Sequence, residues 1–321
     1  MSGEVGTEPM EPAVRGLAVP EFVEVSPRDG LQNEKTILPT SQKIELINRL
    51  VRAGARRLEV ASFVHPARVP QMADAEAVVA GLKRHAGVTY IGLVLNKKGA
   101  LRALDAGLEE LGAVCCASDT FGERNQGQSS DDTVQTSIEI IRLAQASGRT
   151  GQATISVAFG CPFEGAVPHS RVVDIARKLA AAGPREIALA DTIGVAAPQE
   201  VEQLVRRVVE AVAPIPVRLH FHDTRGTGVA NVWAGMKAGG RIVDASVGGL
   251  GGCPFAPGAA GNVATEHVAY MFERSGLSLG LDPARISDTA AWVRSELGRS
   301  VTCASVLAPD AQTVRKVAET S

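Results

Sequence analysis

Short aliphatic runs alternate along the chain with longer stretches in which apolar positions recur every three or four residues. Eight runs read as strands: residues 22–26, 57–61, 88–94, 111–117, 153–159, 186–190, 217–221 and 242–247. Most are apolar on both faces, which suits parallel strands covered by helices on the outside. Between the sixth and seventh runs, Val201, Leu204, Val205, Val208 and Val212 form one helical stripe behind Pro198 as a first helical residue. Ile44, Ile47 and Val51 form another, with Thr40 or Ser41 as its cap and Gly54 as its stop. Eight strand–helix units in succession predict an α/β fold, a (β/α)8 TIM barrel, as a single domain. A doubly wound open sheet is the rival, but the turn after its first strand would carry G-x-G-x-x-G, and here it reads SPRDGLQNE. The expected layout is a flexible tail over residues 1–20, the barrel over 21–300 and a helical C-terminal extension over 301–321.

The 321 residues are 45% hydrophobic and 21% charged, the balance of a folded globular chain rather than a disordered polyelectrolyte. A formal net charge of −2 leaves no positive excess to neutralise a phosphate backbone or an anionic bilayer, so neither nucleic acid nor a membrane is an expected partner. No apolar run approaches the ~20 residues needed to span a bilayer. The opening MSGEVGTEPMEPAVRG sets Glu4, Glu8 and Glu11 against Arg15 and reads as neither a signal peptide nor a basic transit sequence. Five cysteines, an odd number in a large chain, fit a reducing compartment, and the cytoplasm is the expected location.

In such a barrel the site forms at the carboxyl ends of the strands, so the polar residues that follow each aliphatic run carry the information. His220 and His222 are separated by Phe221, and strand period turns both imidazoles to one face, the barrel interior. Two buried neutral histidines, hydrogen-bonded to neighbours, are the plainer reading. Asp29 and Asn262 at the same mouth favour a metal, since one carboxylate, two imidazoles and an amide oxygen make a set suited to Mg2+ or Mn2+. Two further positions would stay open to a substrate offering a hydroxyl and a carboxylate or carbonyl oxygen. Arg28, beside Asp29, is either half of a local ion pair or a fixed cation for a developing enolate. Cys253, in GGLGGCPFAPGAAGN, is a thiol on a glycine-dense loop and a candidate proton donor. Cys115, Cys116 and Cys303 read as packing residues, and Cys161 is assigned with them. Glu59 and Asp191 are expected to orient a ligand histidine or an arginine, while Gln32, Ser62 and Asn96 complete the polar substrate-side set. His65, His85, His169 and His267 have no constellation around them.

Six segments, VSPRDGLQNEK, LEVASFVHPARVPQMAD, FGCPFEG, LADTIGVA, LHFHDTRG and GGLGGCPFAPGAAGNVATE, together resemble the hydroxymethylglutaryl-CoA lyase family, within a wider group of metal-dependent barrel lyases and Claisen-type synthases. The resemblance runs in order over about residues 20–300. It implies the (β/α)8 barrel, a divalent cation, an acyl-CoA partner, a homo-oligomer of two or more chains, and cleavage of 3-hydroxy-3-methylglutaryl-CoA to acetyl-CoA and acetoacetate in leucine catabolism. The metal ligands it implies are Asp29, His220, His222 and Asn262. Arg28 matches the arginine that neutralises the thioester enolate, Cys253 the loop cysteine that protonates it, and Glu59 and Asp191 match acidic positions of the site. Asn96 stands where the family places a residue close to the acyl-CoA. In the implied reaction Asp29 is the candidate base, and Cys253 or His220 the proton donor. This chain departs from the family at Arg225, where an aromatic is common, at His65 in place of Ser, at Leu95 in place of Pro, and in the segment FGERNQGQSS. These changes keep a lyase for a related 3-hydroxyacyl-CoA, such as citramalyl-CoA, as an alternative. A non-catalytic metal-binding scaffold is the alternative of another class.

Overall fold

All eight aliphatic runs form strands in the computed structural model, which describes residues 17–252 and 261–298. They are β1 (Glu21–Glu24), β2 (Arg57–Ser62), β3 (Thr89–Val94), β4 (Glu110–Cys116), β5 (Thr150–Ser156), β6 (Ile187–Asp191), β7 (Val217–Phe221) and β8 (Ile242–Ala245). Each pairs in parallel with the next and β8 pairs with β1, which closes the barrel. Ten α-helices lie among the described residues: α1 (Thr40–Arg52), α2 (Ala75–Gly81), α3 (Lys97–Asp105), α4 (Asp119–Gln126), α5 (Ser130–Ala146), α6 (His169–Ala180), α7 (Pro198–Val212), α8 (Gly228–Lys237), α9 (Thr265–Arg274) and α10 (Pro283–Glu296). The extension expected over 301–321 and most of the N-terminal tail fall outside the described residues.

The stripe read on α7 is its buried face, Val201, Leu204, Val205, Val208 and Val212. On α1 the face is wider than the sequence suggested: Lys43, Leu46, Ile47, Leu50 and Val51 are buried, while Ile44 is half-buried. Lys43 can enter because its ammonium meets Asp74 at 2.6 Å and the Gln71 carbonyl. The expected cap is corrected. Pro39 precedes the helix, and Thr40 Oγ1 donates to Asp74 at 2.6 Å instead of accepting a helical N–H. Gly54 does stop α1: its φ is +110°, and a Cβ there would stand 2.2 Å from the Gly280 carbonyl oxygen. Strand β5 starts and ends three residues earlier than read. Val157 adopts φ +52° and turns the chain out of the ladder, a strained conformation for a β-branched residue.

The aliphatic core lies between the strands and the helices, in one cluster that includes Leu46, Leu50, Leu58 and Tyr90 and another that includes Ile155, Leu189, Leu204 and Leu219. Inside the barrel the packing is different. A small apolar group of Val23, Val25, Ile91 and Ile242 shares the interior with buried charges. Arg57 takes both carboxylate oxygens of Glu186, at 2.9 and 3.0 Å, and also pairs with Glu110. Arg218 Nη1 donates to Glu186 at 3.1 Å and its Nε to Asp244 at 2.5 Å. These charges escape the penalty of isolated burial because each has a partner of opposite sign.

On the outer side of β1, Glu24 ties the barrel seam together. Its Oε1 accepts the N–H groups of Ser26 and Val247, both at 3.0 Å, and its Oε2 accepts the Thr265 hydroxyl at 2.7 Å. Burial pushes its carboxyl up to about 7 against the pull of these donors. The folded protein therefore holds this proton more tightly than the unfolded chain, and stability falls as pH rises from the ordinary carboxyl value of 4.5 through about 7. Glu24→Gln, which cannot ionise, is expected to exceed the parent in stability by about 1–3 kcal/mol near pH ~8, with the gap narrowing near pH ~5. Denaturant unfolding of both proteins at the two pH values checks this, and a gap of constant size would overturn it.

Candidate metal centre

Each strand end and its turn set one member of the centre. After β1, Ser26–Gly30 form a single π-helical turn in which the Val25 carbonyl accepts from the N–H groups of Arg28, Asp29 and Gly30 at 3.2, 2.8 and 3.2 Å. This turn carries the Asp29 carboxylate over the barrel mouth. On β7, the alternation His220, Phe221, His222 sends Phe221 outward against Phe159, with ring centroids 5.6 Å apart, and leaves the two imidazoles inside. Asn262 arrives from the far side of the glycine-rich loop. It forms an antiparallel bridge with His222, closed by Asp223 N–H to Gly261 at 3.0 Å and Val263 N–H to Phe221 at 3.0 Å.

Asp29 Oδ2 lies 3.9 Å from Nε2 of His220 and 3.9 Å from Nε2 of His222. The imidazole centroids are 5.4 Å apart, and one ligand atom from each of the three residues falls within 4.8 Å of the others. Two donors each about 2.1 Å from one octahedral ion stand about 3 to 4.2 Å apart, so these separations suit a single shared cation. Asn262 Nδ2 donates to Asp29 Oδ2 at 2.7 Å, and its amide oxygen is buried without a hydrogen-bond partner. An oxygen left in that state costs free energy, which a cation removes. The four residues read from the sequence therefore meet, and their donor chemistry fits a divalent ion.

The electrostatics follow the geometry. Burial opposes the charge on Asp29, but Arg28 first, then His220 and His222, hold its carboxyl well below the usual range. His220 is raised: burial opposes its protonation and is outweighed by the Asp244 hydrogen bond and by Asp29. Arg28 reaches Asp29 with Nη1 at 2.6 Å and Glu59 with Nη2 at 2.5 Å, while its Nε is buried and makes no hydrogen bond.

The remaining candidates divide. Glu59 holds the arginine. Asp191 sits at the end of β6, where its carboxylate accepts the N–H groups of Val195 and Ala196 at 2.9 and 3.0 Å and so shapes the loop to α7. Asn96 is exposed, and its Oδ1 caps α3 by accepting from Gly99 N–H at 2.9 Å. Ser62 Oγ and Gln32 Oε1 are buried and unpaired. Arg225 Nη1 donates to the Gly194 carbonyl at 2.7 Å, across the β6–α7 loop. Cys253 lies outside the described residues. Cys115 and Cys116 are buried, with burial pushing the Cys116 thiol up to about 12, as befits packing residues; Cys161 Sγ accepts from Ser118 Oγ at 3.0 Å. Sequence reasoning missed Asp244, whose Oδ2 lies 3.0 Å from His220 Nδ1, and Arg218 behind it. Strand period held the signal, because Arg218 shares the inward face with His220, and Asp244 is two residues past the inward Ile242.

The HMGL-like family model matches residues 19–293. A hydroxymethylglutaryl-CoA lyase of Bacillus subtilis is 39% identical over 276 residues, covering 86% of this chain and 92% of the relative. A solved HMG-CoA lyase structure from Bacillus subtilis superposes with a TM-score of 0.86 at 37% identity, over 92% of this chain and 98% of that one. A second, from A. baumannii in complex with coenzyme A and 3-methylmalate, gives 0.85 at 40% identity, over 89% and 93%. The matched span takes in all eight strands and all four residues gathered at the barrel mouth, and the chain belongs to the HMGL-like family.

Proposed function

We propose that the protein is a divalent-metal-dependent carbon–carbon lyase that cleaves 3-hydroxy-3-methylglutaryl-CoA to acetyl-CoA and acetoacetate. The observation that carries this reading is the convergence of Asp29, His220, His222 and Asn262 beside a buried Arg28 whose Nε has no partner. Asp29, His220, His222 and the Asn262 amide oxygen are assigned as the ligands of Mg2+ or Mn2+. When bound, such an ion polarises a hydroxyl and neutralises the charge that develops on it.

The protein side of the chemistry follows from the residues. Removal of the tertiary hydroxyl proton allows the bond between C2 and C3 of the acyl chain to break; its electron pair leaves as a thioester enolate, and C3 becomes the ketone of acetoacetate. Arg28 is held by Glu59 on one side and Asp29 on the other, which fixes its plane and leaves donor capacity for the enolate oxygen. Asp29, kept ionised by Arg28 and the histidines, is in the unprotonated form that a base requires and is assigned as the acceptor of the hydroxyl proton. Cys253 is assigned the proton that converts the enolate carbon to the methyl of acetyl-CoA. Glu59 positions Arg28, Asp191 shapes the neighbouring loop, and Gln32, Ser62 and Asn96 are proposed to face the substrate side. The protein's place is assigned to leucine breakdown in the cytoplasm, as a dimer or larger homo-oligomer. Cys115, Cys116 and Cys161 are free thiols, in keeping with a reducing compartment, and no described helix is long and apolar enough to cross a membrane.

Purified protein incubated with a panel of branched 3-hydroxyacyl-CoA thioesters is expected to release acetyl-CoA from the hydroxymethylglutaryl thioester, and chelator is expected to abolish that release. Release from citramalyl-CoA alone would move the assignment to that substrate, and metal binding without any release would favour a scaffold. Arg28→Lys is expected to lower kcat about 100- to 1,000-fold with little change in KM, because a point ammonium cannot reproduce the planar donor fork. Unchanged turnover would remove Arg28 from the reaction. Cys253→Ser is expected to slow acetyl-CoA formation while bound metal, measured by elemental analysis, stays the same; loss of metal instead would make the loop structural.

A further inference from the structure

The interior charges of the barrel form a column that ends on a ligand of the centre. Arg57 grips Glu186 at 2.9 and 3.0 Å, Glu186 accepts from Arg218 at 3.1 Å, and Arg218 Nε donates to Asp244 Oδ1 at 2.5 Å. The second oxygen of Asp244 then meets His220 Nδ1 at 3.0 Å, while Nε2 of the same ring is 3.9 Å from Asp29. Asp244 and Arg218 are both buried, at 3% and 2% exposure, so no bulk solvent competes for either contact.

We infer that Asp244 and Arg218 are positioning residues for the centre: they lock the orientation and tautomer of His220 so that Nδ1 carries the hydrogen and Nε2 presents its lone pair to the cation. The inference rests on the proposed ligation by His220. Its chemistry is directional. An ionised carboxylate only accepts, so a neutral ring beside Asp244 must place its proton on Nδ1. Arg218 only donates, and by occupying Oδ1 it leaves Oδ2 as the oxygen that faces the ring. Arg218, shared by Asp244 and Glu186, offsets part of the charge that the carboxylate places beneath the centre.

The arrangement makes Asp244→Asn an informative substitution. The amide must turn its oxygen to the Arg218 donor, which brings its NH2 to His220 Nδ1. The ring then accepts at Nδ1 and carries its hydrogen on Nε2, pointed at the cation. In metal-free wild-type protein at alkaline pH, 15N-histidine NMR is expected to show His220 protonated on Nδ1, with its signal assigned by loss in His220→Gln. Asp244→Asn is expected to show Nε2 protonation and a Mn2+ affinity about 10- to 100-fold weaker, with cooperative thermal unfolding retained. Asp244→Ala, which removes the guide without reversing it, is expected to lose less Mn2+ affinity than Asp244→Asn. A purely structural role predicts the opposite order, since alanine leaves the buried Arg218 Nε without an acceptor. Wild-type protein protonated on Nε2 overturns the inference even if the variants do not fold, and unchanged Mn2+ affinity in a folded Asp244→Asn does so too. Failure of wild-type protein to bind Mn2+ at all would instead strike the proposed function, leaving the tautomer result to stand by itself.

Discussion

Pairing of buried charge inside the barrel is the constraint on which the rest of the structure depends. A (β/α)8 lumen is ordinarily filled with layers of branched aliphatic side chains. Here Arg57, Glu110, Glu186, Arg218 and Asp244 take much of that space, and each is nearly inaccessible to water. Such pairs add little net stability over well-packed hydrophobic residues, but removing one partner strands the other at a cost of roughly 3–5 kcal/mol. The interior is therefore tightly specified, because displacing one member strands the charges paired with it. That specificity reaches the barrel mouth through the Asp244 to His220 contact at 3.0 Å.

The same constraint explains what the sequence could and could not disclose. All eight strands were legible because their outward positions, such as Leu58, Leu111, Leu189 and Leu219, form dense aliphatic runs against the helices. The inward charges blurred the edges. Glu110 belongs to β4 but reads as a break before Leu111, and Thr150, Gly151 and Gln152 open β5 with no hydrophobic signal at all. Their strand character comes from the ladder around them, in which Gly151 packs against Ile141 so closely that a Cβ would stand 2.8 Å from its Cα. Thr40 offered the chemistry of a helix cap, and Asp74, distant in sequence, took its hydroxyl.

Site residues were legible for a related reason. Positions just after strands have one structural address in this fold, so Arg28, Asp29, His220 and His222 could be placed together before any contact was known. Asn262 was placed with them from the segment that follows the eighth run, but what brings it to the centre is tertiary, the bridge to His222. Asp244 escaped notice because it lies within β8, a span scanned for apolar residues, where an inward carboxylate looks like a flaw in the strand. Asn96 shows a structural duty that its position did not disclose. Its place after β3 suggested a substrate contact, and its side chain also closes the first turn of α3.

Charge balance at the mouth supplies the last step. Arg28 stands against Asp29 and Glu59, and Arg218 against Asp244, so among these groups the carboxylates outnumber the arginines. The divalent ion proposed for the site would offset that excess and favour a substrate carboxylate beside it. Bond cleavage then transfers negative charge away from the hydroxyl carbon and onto the thioester enolate. Arg28 is already neutralised within its own pairs and still has a buried, unpaired Nε. In the proposed reaction Arg28 would meet that charge with a hydrogen bond, so that one residue of the Arg28–Asp29 pair would serve the cation and its neighbour the leaving fragment.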